Sequence, residues 1–358
     1  MRTLIVGALM ALSPALVSAQ SLAQTTADTL RASVGSPGIV VAYHMDGVDD
    51  LAVSGLRRRG DPTPVGEHDL WHIGSITKSM TALLVARLAE AGRISWDDSI
   101  GTILGADVPD MHPGFAPVTY LDLLGHRAGV VANAPVELTR QLAAGTQTPT
   151  EDRLEYASAV LTQAPEEDAF SYSNAGYVVV GAMLEASTGQ PWELLMREGV
   201  FEPLDLTSAG FGAPGTAEAL TQPRGHIRRW GRLRPVEPGP GADNIAALGP
   251  AGTVHMNAAD LLKYLKVHMS RPPDVLRSEN WDRLHTAPAG MDYAAGWVRM
   301  NGGGLVHTGS NTMWYMMVVS RPQEGQALVI AANSGDASTL DPAFADAARN
   351  LLLKQDIP

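Results

Sequence analysis

The stretch Ser75-Ile76-Thr77-Lys78-Ser79-Met80-Thr81-Ala82-Leu83-Leu84-Val85-Ala86-Arg87-Leu88 decides how this chain is read. Met80, Leu83, Leu84, Val85 and Leu88 recur at the period of an α-helix, and Gly92 is its stop. Ser75 opens that helix, and Lys78 follows three positions later on the same face. A serine hydroxyl is a poor nucleophile until a nearby base takes its proton. Four lysines occur in the 358 residues, and the remaining cations are arginines, which cannot act as bases. A desolvated lysine can.

Outward from this helix, residues 20–34 read as a helix, 39–44 as a β-rich strand, Asp46 and Gly47 as a turn, and 51–56 as a returning strand. Thr119 and Asp122 form a capping pair, residues 174–187 a second apolar helix ending at Gly189, and 192–201 a third. Residues 210–252 are rich in Gly, Pro and Arg and read as an extended loop or lid. A helix at 258–269 precedes strands at 296–300, 304–307, 313–320 and 327–332, and an amphipathic helix at 343–354 closes the chain. Strands at both ends with helices between them imply a sheet built from the two termini, flanked by helices, with a mainly helical lobe inserted. The expected division is a sheet lobe at about 20–95 and 250–358 and a helical lobe at about 96–249.

The first residues, with Arg2, an apolar run over 4–17 and Val17-Ser18-Ala19 before Gln20, read as a secretory signal peptide cut after Ala19. A periplasmic or secreted protein is expected, with no integral membrane segment after cleavage. Cysteine is absent, which excludes disulfides and a lipidated cysteine. The net charge of −12, or −13 once the single charge of Arg2 is removed, suits neither nucleic acid nor an anionic membrane. The clusters Arg57-Arg58-Arg59 and Arg228, Arg229, Arg232, Arg234 are read as solvated surface. The sequence contains no G-x-S-x-G elbow, H-E-x-x-H or P-loop, so neither a catalytic metal nor a cofactor is expected.

Three short signals occur in order: Ser75-Ile76-Thr77-Lys78, then Tyr172-Ser173-Asn174 at a helix entry, then His307-Thr308-Gly309-Ser310 at a strand edge. Each alone arises by chance, whereas their order and placement are specific. The set resembles that of the penicillin-recognising serine hydrolases, in the branch of class C β-lactamases, DD-carboxypeptidases and related esterases, whose second element is Y-x-N. The resemblance extends over 71–100, 123–129, 170–189, 203–206 and 252–262, and so over essentially the mature chain. It implies an α/β (α+β) fold of the β-lactamase/transpeptidase type, with residues 20–358 as the catalytic domain.

At a helix N-terminus the Ser75 amide favours developing negative charge, and the resemblance places the second oxyanion amide at Ser310. Gly309 is expected to let substrate approach the strand backbone. Burial should lower the Lys78 pKa. Beside that ammonium, Tyr172 should be pushed toward phenolate and shuttle the proton to the leaving group. Asn174 can hold Lys78 or a substrate amide through its two-sided hydrogen bonding. The blander alternatives are a helix-capping serine with a solvated lysine, a core-packing Tyr172, and a His307 merely satisfied by its neighbours. His126, Trp297, Trp314 and Tyr315 are read as structural.

Two departures stand out. His307 replaces the lysine usual in the lactamases, as the DD-peptidases tend to do, and Leu123-Leu124-Gly125-His126-Arg127-Ala128-Gly129 replaces L-L-T-H-T-S-G. The expectation is a serine hydrolase forming an acyl-enzyme on a small-molecule or peptide substrate, including peptidoglycan-derived ones, and most like a DD-peptidase or D-amino acid peptide hydrolase. The alternatives are a carboxylesterase, a weak class C-like β-lactamase, and a non-catalytic binder of cell-wall fragments or β-lactams.

Overall fold

The computed structural model describes residues 20–239 and 241–353; the expected signal peptide and Lys354 lie outside them. Helix α1 (Leu22–Val34) is capped by Ser21 and ended by Gly35 in the left-handed region, at φ 64°. Strands β1 (Gly38–Met45) and β2 (Val48–Gly55) form the expected hairpin. Its two-residue turn has positive φ at both Asp46 and Gly47, the geometry that matches strand twist. Strand β3 (Leu70–His72) leads through a single 3₁₀ turn, Gly74–Ile76, into helix α2 (Thr77–Glu90). Ser75 therefore sits on the turn rather than on the helix proper.

The helical part follows with α3 (Ile100–Leu104), α4 (Tyr120–Leu124), α5 (Val136–Ala144), α6 (Pro149–Leu161), α7 (Asn174–Thr188) and α8 (Trp192–Met196). Thr119 and Asp122 do form a capping box on α4, and Gly189 ends α7 at φ 68°. Helix α8 continues as a π-turn over Arg197–Phe201.

The expected loop at 210–252 is more ordered than its composition suggested. Strand β4 (Gly210–Phe211) joins a small sheet, β5 (Gly225–Arg229) and β6 (Arg232–Val236) pair as a hairpin, and Gly249–Gly252 is helix α9. An arginine-rich hairpin has no apolar alternation to announce it, and a two-residue strand has no period at all. Three of the seven cluster arginines make ion pairs: Arg57 with Asp69 at 2.6 Å, Arg58 with Glu237 at 3.0 Å, and Arg228 with Asp336.

Strand β7 (Val254–Asn257), helices α10 (Ala258–Ser270) and α11 (Ser278–His285), strands β8 (Tyr293–Ala294), β9 (Trp297–Arg299), β10 (Leu305–Ser310), β11 (Tyr315–Arg321) and β12 (Gln326–Ala332), and helix α12 (Ala337–Leu353) complete the chain. The main sheet is antiparallel, in the order β2-β1-β12-β11-β10-β9-β8. A second sheet, β3-β7-β4, leads from β3 into the Ser75 turn.

Alternation along the strands builds two cores. Ile39, Val41, Leu328, Ile330, Met317 and Val319 pack with α1 and α12. Val40, Ala42, Val329, Ala331, Met316 and Val318 face α2 and α10 in the large core that continues into the helical part. With both faces covered, β1 and β12 read as continuous apolar runs. We propose that the sheet lobe and helical lobe divide near 95 and 250, as the element order suggests. No helix among the described residues is long and apolar enough to cross a membrane.

Candidate active site

The turn that carries Ser75 is built by close backbone contact. Ile73 N–H donates to the Val254 carbonyl at 3.0 Å, and Gly74 N–H donates to His72 Nδ1 at 3.1 Å. Gly74 has φ +53°, and a Cβ on it would lie 2.3 Å from the Ser310 amide nitrogen. Only glycine fits both the conformation and the contact. Strand β10 thereby runs against the turn and brings the third motif beside the first.

Lys78 is fully buried on α2. Its Nζ lies 3.1 Å from Ser75 Oγ, 2.8 Å from Asn174 Oδ1 and 2.8 Å from the Ala251 carbonyl. Asn174 Oδ1 and the carbonyl accept only. A neutral lysine therefore satisfies both with its two N–H bonds and turns its lone pair toward the Ser75 hydroxyl. Burial lowers its pKa to about 7, so a large fraction is neutral at neutral pH. The Tyr172 and Tyr177 rings stand 5.0 and 5.5 Å from Nζ and favour the charged form.

Helix α9 carries Ala251 to this amine. Thr81 Oγ1 donates to the Pro250 carbonyl at 2.8 Å, and buried Arg153 bonds Glu185, Glu193 (2.7 Å) and the Ala246 carbonyl (3.3 Å). Asn174, first residue of α7, turns its Nδ2 to Asn133 Oδ1 at 3.0 Å. Neither Asn133 nor Ala251 was singled out from the sequence.

Tyr172 differs from expectation. Burial raises its pKa to about 12, opposed only in part by its hydrogen bond with Ser75. The residue is 37% exposed, yet the surroundings of its hydroxyl keep it a phenol at neutral pH. His126 positions it: the imidazole packs 4.3 Å from the Tyr172 ring, between centroids, and its Nδ1 accepts from Ser173 N–H at 3.1 Å. Burial and the nearby Lys78 keep His126 neutral, its pKa held far below the ordinary imidazole range.

His307 is buried, with Nε2 3.1 Å from the Tyr293 hydroxyl and Nδ1 2.6 Å from the Thr308 carbonyl. Burial, reinforced by Lys78, lowers its pKa to about 4. No cation therefore stands where the lactamases carry a lysine. The Thr308 hydroxyl is hydrogen-bonded to Tyr315, whose own phenol reaches Asp341 of α12. Ser310 Oγ donates to the Trp314 carbonyl at 2.7 Å and accepts from Thr312 N–H, closing the turn into β11. The structure thus gathers Ser75, Lys78, Tyr172 and Asn174 into one hydrogen-bonded group, lays the backbone of Gly309 and Ser310 against it, and commits the side chains of Thr308 and Ser310 elsewhere. Trp297, Trp314 and Tyr315 are core residues, each at most 4% exposed.

Gly309 is glycine for a different reason from the one expected. A Cβ there would lie 2.0 Å from the Ile73 carbonyl oxygen and 3.1 Å from the Ser75 nitrogen, so the protein's own turn, not substrate, occupies the space. Gly309→Ala is expected to cost roughly 3 kcal/mol or more, a melting-temperature fall of about 4 °C or more for a chain of this length, together with most of the activity. A variant melting within about 2 °C of the parent would refute this close packing.

Comparison with known proteins agrees with this geometry. Residues 23–352 match the beta-lactamase family. The chain is 27% identical over 262 residues to penicillin-binding protein 4 of Amycolatopsis lactamdurans, a match covering 68% of this chain and 62% of that protein. It superposes on the octameric penicillin-binding protein homologue of Pyrococcus abyssi with TM-score 0.73 at 24% identity, covering 91% of this chain and 75% of the other. The D-amino acid amidase of Ochrobactrum anthropi SV3, in complex with L-phenylalanine, superposes with TM-score 0.72 at 20% identity, covering 92% and 98%. The chain spans less than two thirds of the length of the curated relatives it matches. This chain belongs to the beta-lactamase family.

Proposed function

We propose that the protein is an exported hydrolase that forms an acyl-enzyme on Ser75 and acts on amides or peptides of D-amino acids. The observation that carries the acylating chemistry is a fully buried Lys78 with pKa about 7, its amine 3.1 Å from Ser75 Oγ. Ser75 Oγ attacks the carbonyl carbon while Lys78 takes its proton. The Ser75 and Ser310 amides receive the oxyanion, and the proton passes by way of the Tyr172 phenol to the leaving group. Water then attacks the ester along the same path and frees Ser75. An intact base beside the serine is unnecessary in a pure binder. With residues 1–19 as signal peptide, the site of action would be the periplasm or the exterior.

Neutral His307 supports substrates with no carboxylate beside the scissile bond. A D-alanyl-D-alanine terminus and a β-lactam both carry one, and burial with Lys78 nearby keeps His307 uncharged. The same observation favours a second reading, a carboxylesterase. Labelling with a fluorescent fluorophosphonate, followed by parallel assays of a D-amino acid amide, p-nitrophenyl butyrate, a D-alanyl-D-alanine peptide and nitrocefin, tests both. The amide and ester should be turned over well ahead of the other two. Absence of any covalent adduct would sink the acyl-enzyme; turnover of the ester alone would overturn the D-amino acid preference.

A further inference from the structure

His72 and Asp243 belong to no motif, yet they join the two backbone segments on which the proposed oxyanion site depends. His72 ends β3, two residues before the Ser75 turn, and is buried. Its Nδ1 accepts the Gly74 amide at 3.1 Å, which fixes the tautomer as Nε2–H. That Nε2 lies 2.8 Å from Asp243 Oδ1, an ion-pair distance at an angle outside a straight hydrogen bond.

The same carboxylate oxygen accepts from Asn311 Nδ2 at 3.0 Å and from the Asn244 amide at 2.7 Å. Asn311 directly follows Ser310, and its Oδ1 accepts from the Met313 and Trp314 amides, both at 3.2 Å. Asn244 Nδ2 in turn donates at 2.7 Å to the carbonyl of Gly252, the neighbour of Ala251, which holds Lys78. One carboxylate from the 241–252 segment thus meets the residues flanking both motif backbones.

We infer that His72 and Asp243 are positioning residues that hold the Ser75 and Ser310 amides at a common spacing, so that the two receive one oxyanion. The physical case is geometric. Gly74, at φ +53°, has no side chain to hold its torsions; the bond from its amide to His72 anchors the peptide before it, one residue from the Ser75 N–H, while its contact with the Ser310 backbone holds its other side. On the other strand, Asn311 fixes the residue after Ser310 in the same way. Rotation of either amide weakens transition-state contacts far more than ground-state binding, because only the oxyanion needs both donors at once.

The inference rests on the acyl-enzyme reading, and its test separates the two. Asp243→Ala, Asp243→Asn and Asn311→Ala are compared with the parent for p-nitrophenyl butyrate kinetics, fluorophosphonate labelling rate, melting temperature and affinity for phenylboronic acid. In that adduct boron bonds to Ser75 Oγ, the serine proton passes to Lys78, and a boronate oxygen takes the oxyanion position. Asp243→Ala should lower kcat about 10- to 100-fold with KM within about threefold, and boronate affinity should fall in parallel with kcat/KM. Asp243→Asn retains an acceptor oxygen and should recover part of the loss. Asn311→Ala reaches the same carboxylate from the other strand and should reproduce the pattern if Asp243→Ala does not fold. Labelling within threefold of the parent in Asp243→Ala and Asn311→Ala overturns the inference, as does a loss that tracks only the fraction folded. A parent that is never labelled removes the acyl-enzyme reading and this inference with it.

Discussion

Ser75→Ala should reduce turnover of any ester or amide substrate by roughly 10,000-fold or more and abolish the covalent adduct, with folding unchanged. The hydroxyl sits on a turn whose shape is set by backbone contacts of Ile73, Gly74 and Gly309 rather than by its own side chain, so removing Oγ leaves the scaffold in place. In the proposed mechanism Ser75 and Lys78 act on the same proton. Their losses should therefore not add, and a Ser75→Ala/Lys78→Met double variant should be no slower than either single variant. Losses that multiply would show that Lys78 works on something other than the Ser75 hydroxyl.

Lys78→Met should be equally inactive and should also change how stability depends on pH. The folded-state pKa is lowered from 10.5 to about 7 by burial. Between those values the unfolded chain holds the proton and the folded chain does not, so stability rises with pH across that window. Expressed the other way, the cost of the buried ammonium is full below pH 7 and gone above 10.5. Its size is on the order of 5 kcal/mol, with a slope near 1.4 kcal/mol per pH unit. Methionine carries no such term, so the stability difference between parent and variant should close by that slope as pH rises from 7 to 10. Parallel curves would refute the lowered pKa.

The same group governs activity, and in the same protonation sense. Because Lys78 must be neutral to accept a proton, kcat/KM of the parent should climb with pH through a midpoint near 7. With the Tyr172 pKa at about 12, no alkaline fall should appear below roughly pH 11. An apparent pKa above 9 on the acid limb would show that Lys78 remains charged in the working enzyme.

Much of the architecture was legible because its signals are local. The β-branched runs of β1, β11 and β12, the helix after Ser75, the capping pair Thr119 and Asp122, and the glycines ending α1 and α7 each announce themselves within a few residues. Strands β3, β4 and β7, of two to four residues, are too short for a period to register. Helix α11 carries so many polar residues in its eight positions that it reads as surface chain. Ser75, Lys78, Tyr172 and Asn174 were found through motif order and do meet in space. What the sequence could not supply were partners fixed by tertiary approach. Ala251 lies 173 residues from Lys78, and Asp243 meets His72 only because the second sheet places them together. The protonation state of Tyr172 was misjudged for a related reason, since how dry its hydroxyl becomes depends on packing that no local pattern encodes.

The pairing of β1 with β12 has a consequence for how the molecule is made. Gly38 N–H donates to Asn333 Oδ1 at 2.7 Å across 295 residues of chain, and β12 lies inside the main sheet rather than at its margin. Until the last strand is available, β1 and β11 present two open edges that face each other across a missing strand, and nothing local can seal them. Such a topology has high contact order and folds slowly, and its partly folded forms offer strand edges to other chains. A C-terminal truncation that removes β12 should therefore yield aggregates rather than a smaller enzyme.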